Sequence, residues 1–255
     1  MTAAIPNYEA AFETAVRDFW STRAFQTQEN IRRGSPDVGT RGAVTAGQHL
    51  NEVRRVLHQV LEDAGLPRRI GSNRLPGYYR GSKNWDTVVT YRGSVLAIIE
   101  LKSQVGSFGK NQNNRIEEMV GQALDIWRAA RESLLGRVRP WFGYVMLLED
   151  SPDSREPSRT TTLAGFPPDP AFEQASAIER YRLAFERLRM ERDMDAVCLA
   201  VSDQQSQAVR YPDSTMTFQA FASALYARAI EMQGQLGSPP PNPNVSMPLQ
   251  QPIDL

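Results

Sequence analysis

Apolar residues recur every three or four positions in five stretches of this chain. In the first stretch, Tyr8, Phe12 and Val16 fall on one face of a helix, and Phe19 continues that face. This spacing is typical of an amphipathic helix that turns one face toward a core. The pattern predicts helices over residues 7–33, 45–64, 115–135, 172–192 and 218–233.

Four shorter runs have the composition of β-strands. They are predicted over residues 87–91, 95–101, 142–149 and 196–202. The first run is rich in β-branched residues, and the others are long apolar runs typical of strands covered on both faces. Arg92 and Gly93 predict a tight turn between the first two strands, whereas the helix between the second and third suits a parallel crossover. We therefore predict an α/β (α+β) fold with a mixed central β-sheet flanked by helices.

Polar segments containing glycine, proline or asparagine separate these elements. They predict loops over residues 33–42, 66–84, 103–114 and 150–170. The segment that starts at Gly237 is rich in proline and predicts a disordered tail. We therefore predict a single domain over residues 1–236, followed by a tail over residues 237–255.

Composition narrows the class of protein and its compartment. The chain has 255 residues, and its 29 Lys+Arg balance its 29 Asp+Glu. Neutrality counts mildly against a nucleic-acid partner, but in a nuclease only the DNA-facing cleft must be positive. One cysteine and two histidines exclude an internal disulfide framework and argue against a zinc site. Because no apolar run approaches the roughly 18 residues that span a bilayer, and no secretion signal opens the chain, we expect a cytoplasmic protein without a membrane partner.

Three charged residues stand at the ends of the first two predicted strands. Asp86 precedes the first strand, and Glu100 and Lys102 close the second, with Leu101 between them. Because alternate residues of a strand share a face, Glu100 and Lys102 point to one side while Leu101 points into the core. The hairpin can bring Asp86 next to Glu100. This is the pattern of a metal-dependent nuclease of the PD-(D/E)xK type, although a Glu-x-Lys pair alone is more often a solvated ion pair on an exposed strand.

The same residues have the chemistry that phosphodiester hydrolysis needs. Mg²⁺ prefers oxygen ligands and can stabilise charge on a phosphate. Asp86 and Glu100 can supply carboxylates, and the backbone carbonyl of Leu101 a third oxygen ligand. Lys102 can orient the attacking water and stabilise developing charge, or act as a general base, and the sequence leaves both roles open. We predict Asp86, Glu100 and Lys102 as catalytic residues and Mg²⁺ as the cofactor.

A polar segment after the second strand supplies candidate DNA contacts. It contains Lys110, Asn111, Asn113, Asn114 and Arg115. Asparagine amides can read adenine edges, and arginine can read guanine. The structural alternative is a helix start, with Asn114 as the N-cap and an acidic residue three positions later. Both roles can hold, and Arg115 is the strongest candidate for reading a base.

A second basic segment lies just before Asp86. Arg80 and Lys83 follow Tyr78 and Tyr79, and basic and aromatic side chains beside a metal site suit the phosphate backbone of DNA. A packed turn with solvated cations is the alternative.

Three blocks of this sequence resemble the XhoI family of type II restriction endonucleases. They are L-P-G-Y-Y-R-x-x-K-x-W-D-x-x-V at residues 75–89, I-E-L-K-S at 99–103, and V-G-S-F-G-K-N-Q-N-N-R-I-E-E at 105–118. The resemblance extends over about residues 8–230. Gln104 departs from the pattern, because a histidine is expected there in XhoI-like sequences, and the V-G-S-F-G loop is one residue shorter. These departures bear on the target sequence more than on catalysis.

The resemblance implies both an activity and partners. It implies a PD-(D/E)xK core and a Mg²⁺-dependent homodimer that cuts double-stranded DNA at the palindrome CTCGAG, leaving 5′ overhangs. A two-fold protein matches a two-fold site. It further implies a cognate DNA methyltransferase that protects the same site in the host. Asp86, Glu100 and Lys102 occupy the family's nuclease positions, and residues 113–115 match its shared polar run.

Two other interpretations keep the fold and change the task. A DNA-repair or recombination nuclease would cut at structures or ends, and a catalytically silent DNA-binding module would bind without cutting. The polar segment at 110–115 favours sequence reading, and the intact set Asp86, Glu100 and Lys102 favours catalysis.

Overall fold

Six α-helices and six strands make up the part of the chain that the structure describes. The computed structural model describes residues 4–32, 48–66, 73–158, 160, 162 and 164–237. The helices are α1 (Glu9–Arg32), α2 (Asn51–Asp63), α3 (Phe108–Arg131), α4 (Pro152–Arg155), α5 (Ala177–Met190) and α6 (Phe218–Leu236). Single 3₁₀ turns at Gln48–Leu50 and Pro170–Phe172 precede α2 and α5.

The strands form a two-stranded ribbon and a four-stranded mixed sheet. The ribbon pairs β1 (Arg74–Leu75) with β2 (Lys83–Asn84). The sheet contains β3 (Thr87–Tyr91), β4 (Ser94–Gln104), β5 (Trp141–Glu149) and β6 (Ala196–Ser202), in the order β3-β4-β5-β6. β3 and β4 are antiparallel, whereas β4–β5 and β5–β6 are parallel. The prediction of a mixed sheet flanked by helices is therefore confirmed, and so is the parallel crossover between β4 and β5.

The hairpin between β3 and β4 turns at the residues that the sequence indicates. Arg92 and Gly93 have φ angles of 47° and 75°, and Tyr91 pairs with Ser94 across the turn. Two successive left-handed residues give the twist that a two-residue hairpin needs. Beyond the turn the register shifts by one residue between Val89 and Thr90, as in a β-bulge, so that Thr87 lies opposite Ile99.

Alternation along the strands divides the core between the two faces of the sheet. Helices α1, α2 and α6 pack on the face that receives Ala97, Ile99 and Leu101 of β4. Helices α3 and α5 pack on the other face, with Ile98 of β4. Because residues two apart share a face, Glu100 and Lys102 belong to the side covered by α3.

Helix α3 begins seven residues earlier than predicted, at Phe108 rather than at Arg115. Its N-cap is Ser107, so the alternative in which Asn114 caps the helix is wrong. The chain ends β4 with a left-handed turn at Gly106 and Ser107 (φ 69° and 52°) and can then enter a helix at once. The buried Phe108 ring and the hydrogen bond from Gln112 Nε2 to the carbonyl of Ala177 (2.7 Å) anchor these extra turns. Tertiary contacts thus extend a helix into a segment whose composition is typical of a loop.

Several other boundaries differ from the predictions, and the two around α4 and α5 show why. The segment predicted as a loop over 150–170 contains the single turn α4, with Pro152 at its first position, where proline is tolerated. The helix predicted from residue 172 begins at Ala177. A capping box fixes that start: the Ser176 hydroxyl accepts from the Glu179 N–H (3.2 Å), and the Glu179 carboxylate accepts from the Ser176 N–H (2.7 Å).

Some predictions fall outside the described residues. The loop predicted over 33–42 lies there, as does the predicted tail beyond Gly237. No helix within the described ranges is both long and apolar enough to cross a membrane.

Candidate active site

The β3–β4 hairpin brings Asp86 next to β4, the strand that carries Glu100 and Lys102. Asp86 immediately precedes β3, and its Oδ2 accepts a hydrogen bond from the backbone N–H of Leu101 (2.8 Å). Its Oδ1 lies 3.3 Å from Nη2 of Arg54 on α2. One carboxylate therefore joins the start of the hairpin, strand β4 and a helix that packs on the opposite face of the sheet. The sequence gives no indication of Arg54, because only the tertiary fold brings α2 to this point.

Glu100 and Lys102 meet on the same face of β4, as alternation predicts. Lys102 Nζ lies 2.5 Å from Glu100 Oε1, and the Glu100 side chain is only 2% exposed. Leu101, between them, points the other way into the core. Burying an unpaired carboxylate is costly, so Glu100 must find its partners within the protein.

Glu100 accepts hydrogen bonds from two further side chains. Lys83 Nζ lies 2.8 Å from Oε2, and Gln122 Nε2 lies 3.2 Å from Oε1. The carboxylate therefore sits between two ammonium groups whose side chains are 16% (Lys83) and 20% (Lys102) exposed. Lys83 also lies over the ring of Trp85, 3.8 Å from its centroid, a cation–π contact.

The two lysines respond differently to this environment. Burial lowers the pKa of Lys83, and the opposing effect of Glu100 does not fully offset it. Burial also acts to lower the pKa of Lys102, but the charge and hydrogen bond of Glu100, with the charge of Glu118, outweigh it and the pKa is raised. Lys102 is thus held in its charged form beside Glu100.

A stripe of polar side chains on α3 covers β4, the strand that carries Glu100 and Lys102. It consists of Arg115, Glu118, Gln122 and Asp125, spaced by three or four residues along one face. Arg115 Nη1 lies 3.0 Å from Glu118 Oε2, and Gln122 donates to Glu118 Oε1 (3.1 Å) as well as to Glu100. Glu118 Oε1 is in turn 3.5 Å from Lys102 Nζ. The stripe therefore links a helix to both charged residues of β4.

Gln122 and Asp125 are the residues of this stripe that sequence reasoning missed. Both are buried. The detectable signal is two polar side chains on the inward face of an otherwise amphipathic helix, because buried polar groups need partners. Asp125 accepts from the N–H groups of Tyr78 and Tyr79 and from Arg80.

The structure separates the candidate DNA-binding residues into groups with different surroundings. Asn111, Asn113 and Asn114 are exposed on the first turns of α3, and the backbone of Lys110 lies in the same turns. The guanidinium of Arg115 points along the helix to Glu118.

The two cations of the preceding segment are both engaged with carboxylates. Arg80 Nε donates to Asp125 Oδ2 (2.8 Å), and its guanidinium lies 5.9 Å from the centroid of Trp85. Lys83 contacts Glu100, so the structure brings it together with the three predicted catalytic residues.

The donor set at this site suits a hard divalent cation. Asp86, Glu100 and the carbonyl of Leu101 offer oxygen only, which is the preference of Mg²⁺, with waters completing the coordination. The hydroxyl of Tyr144, which pairs with Glu100 across β4–β5, is buried and has no hydrogen-bond partner among the described residues; it is a polar group within the site. The described residues contain no cluster of three or more His, Cys, Asp and Glu side chains that could hold a metal ion. A metal here would depend on two carboxylates, backbone and water.

Comparison with known proteins identifies the family. A profile described as restriction endonuclease XhoI matches residues 29–212. The type II restriction enzyme BstVI of Geobacillus stearothermophilus is 41% identical over 187 residues, covering 69% of this chain and 83% of that protein. AbrI of Azospirillum brasilense is 37% identical (61% of this chain, 73% of that protein). XhoI of Xanthomonas vasicola is 33% identical (74% and 78%). Both relatives are also named type II restriction enzymes.

No solved structure matches the chain. The family match covers most of the sequence and includes every residue of the site described above. The chain therefore belongs to the XhoI family of type II restriction endonucleases, which are site-specific deoxyribonucleases.

Proposed function

We propose that this protein hydrolyses phosphodiester bonds in double-stranded DNA with Mg²⁺, at the palindrome CTCGAG, and leaves 5′ overhangs. The observation that carries the catalytic part is the convergence of Asp86, Glu100 and Lys102 at the end of one hairpin. The target sequence rests on the resemblance to the XhoI family, from which this chain departs at Gln104.

In this proposal Asp86, Glu100 and the carbonyl of Leu101 hold the metal ion. When bound, a divalent metal ion stabilises negative charge on the phosphate and assists in generating the water nucleophile. The residues are prepared for this: Asp86 is oriented by the N–H of Leu101, and Glu100 is oriented by Gln122. A water oxygen forms a bond to phosphorus and gives up a proton to solvent, while the bond to the leaving oxygen breaks and that oxygen takes up a proton.

Lys102 acts on the reacting phosphate in this scheme. Its charge stabilises the developing negative charge, and its ammonium orients the attacking water. Glu118, 3.5 Å from Nζ, gives the ammonium a second acceptor when Glu100 engages a metal. Lys83 supplies a second positive charge at the same carboxylate.

In this proposal, the residues that recognise the DNA bases lie on the first turns of α3. Asn111, Asn113 and Asn114 are exposed there, so their amides can reach base edges, and Lys110 belongs to the same turns. On binding DNA, Arg115 would leave its contact with Glu118 and donate hydrogen bonds to the edge of a guanine. Arg80 would contact the phosphate backbone.

The remaining parts of the proposal concern assembly and context. A homodimer would place one active site on each strand of a palindrome. A methyltransferase acting on the same sequence would protect host DNA. We also propose one domain over residues 1–236 and a cytoplasmic location, with which the buried free thiol of Cys198 is compatible.

One experiment separates this function from its competitors. Purified protein is incubated with unmethylated plasmid and Mg²⁺, and the ends of the products are sequenced. Discrete fragments that share one hexamer support the proposal, and CTCGAG at those ends supports the stated target. Cutting at random positions or at DNA ends would favour a repair nuclease instead. Binding without cutting across several divalent metals would favour a silent DNA-binding module.

A further inference from the structure

Two adjacent tyrosines are exposed on the turn between β1 and β2. Tyr78 is 48% exposed and Tyr79 is 62% exposed. Their rings pack edge to face, with centroids 4.9 Å apart and an interplanar angle of 83°. A single exposed aromatic ring needs no explanation, whereas two adjacent rings that pack on each other form a contiguous apolar surface that can contact a partner.

The backbone beneath these rings is held by one buried carboxylate. Asp125 Oδ1 accepts from the N–H groups of Tyr78 (2.9 Å) and Tyr79 (2.8 Å), and Asp125 Oδ2 accepts from Arg80 Nε (2.8 Å). A Cβ at Gly77 would lie 2.6 Å from Asp125 Oδ2, so only glycine fits at that position. Burying a carboxylate is costly unless it is fully paired. The buried carboxylate of Asp125 thus holds the backbone of a turn whose two tyrosine side chains remain in solvent.

The turn is connected to the active site by continuous contacts. Arg80 and Lys83 both lie against the ring of Trp85, and Lys83 reaches Glu100. On the other side, Asp125 lies one helical turn from Gln122, which also contacts Glu100. The tyrosine pair is therefore connected to the site through neighbouring residues. Because Arg80 and Lys83 are each paired with a carboxylate, the turn offers DNA mainly its exposed aromatic surface.

We propose that Tyr78 and Tyr79 form a preorganised aromatic contact with the DNA duplex, packing against the deoxyribose rings of nucleotides beside the scissile phosphate. This inference rests on the proposed function. A tyrosine combines a large apolar surface with a polar tip and loses little conformational freedom on binding. Because the anchored backbone is already ordered, the contact adds affinity without the cost of ordering a loop.

The contact has a signature that separates it from the surrounding cations. Aromatic packing neutralises no phosphate, so its loss lowers DNA affinity without changing the slope of log K against log salt. Loss of a lysine or arginine that neutralises a phosphate reduces that slope.

The test compares Tyr78→Ala/Tyr79→Ala with the wild type in a fluorescence anisotropy titration. The probe is a short labelled duplex that carries the hexamer recovered by end sequencing, with Ca²⁺ in place of Mg²⁺. We expect roughly 10-fold weaker binding, the scale for burying part of the apolar surface of two aromatic rings, with an unchanged salt slope. Tyr78→Phe/Tyr79→Phe should bind as the wild type does, because the rings remain. Phe166→Ala, which removes another exposed aromatic ring, is the matched control and should also bind normally.

Three results would overturn the inference. Wild-type affinity in the double alanine variant would remove the pair from the DNA contact while leaving the proposed cutting activity intact. If that variant had a lower molecular mass in solution than the wild type, because an oligomer had dissociated, and kept its DNA affinity per site, the pair would be assigned to a contact between protein chains. A wild-type protein that neither binds nor cuts DNA would overturn this inference together with the proposed function. Circular dichroism and urea unfolding confirm that each variant is folded.

Discussion

The charges around Glu100 predict how much the stability of the metal-free protein depends on that carboxylate. Glu100 is 2% exposed and lies 2.5 Å and 2.8 Å from two ammonium groups. Glu100→Gln keeps the shape and one acceptor oxygen but leaves two positive charges facing each other. Breaking a buried ion pair costs about 3–5 kcal/mol. Because Lys83 and Lys102 keep 16% and 20% exposure and Lys102 has Glu118 nearby, we expect about 2–3 kcal/mol of destabilisation.

The same reasoning predicts a partial rescue. Lys83→Met removes one of the two unpaired charges, so in the Glu100→Gln background it should restore about half of the lost stability. In the wild-type background it should have a smaller or opposite effect, because Lys83 there is paired. The measurement is urea unfolding followed by circular dichroism, without divalent metal, for the four proteins of the cycle.

A matched control is available on α2. Glu52 pairs with Arg55 at the surface, where an ion pair contributes at most about 1 kcal/mol, so Glu52→Gln should change little. Wild-type stability of Glu100→Gln, or additive effects of the two substitutions at the site, would contradict this expectation.

Other predictions concern reading, positioning and acid stability. Arg115→Ala should weaken specific binding by roughly 1–3 kcal/mol if Arg115 reads a guanine; an unchanged ratio of specific to non-specific affinity would exclude it as a base reader. Gln122→Leu should slow single-turnover cleavage while DNA affinity stays near normal, since it frees Glu100; wild-type cleavage would contradict its positioning role. The hydrogen bond from Arg155 lowers the pKa of Asp150, so Asp150 stabilises the fold above its ordinary pKa and loses this effect as pH falls toward the lowered value. Asp150→Asn should therefore flatten the loss of urea stability in acid; an unchanged acid slope would refute this.

The parts that the sequence predicted well are local ones. The turn at Arg92 and Gly93 depends on two neighbouring residues, and the shared face of Glu100 and Lys102 depends only on strand alternation. The exact position of Asp86 against β4 needs one feature more, because the register shift between Val89 and Thr90 moves the pairing by one residue and carries no local signal.

The parts that it missed depend on contacts between distant segments. The sequence presents Lys83 as a loop cation, and only the position of Trp85 and the buried carboxylate explains why it turns inward. The early start of α3 depends likewise on Gln112 reaching the carbonyl of Ala177, 65 residues away. Arg54, on a helix from the opposite layer, carries no local signal at all.

The most direct test is the single-turnover rate at which Lys102→Ala, with Mg²⁺, cleaves plasmid DNA that carries the hexamer recovered by end sequencing. The account predicts that this variant folds and binds the duplex but no longer cuts it, while the wild type cuts both strands. Cleavage by Lys102→Ala at the wild-type rate would contradict the assignment of Asp86, Glu100 and Lys102 as the catalytic residues.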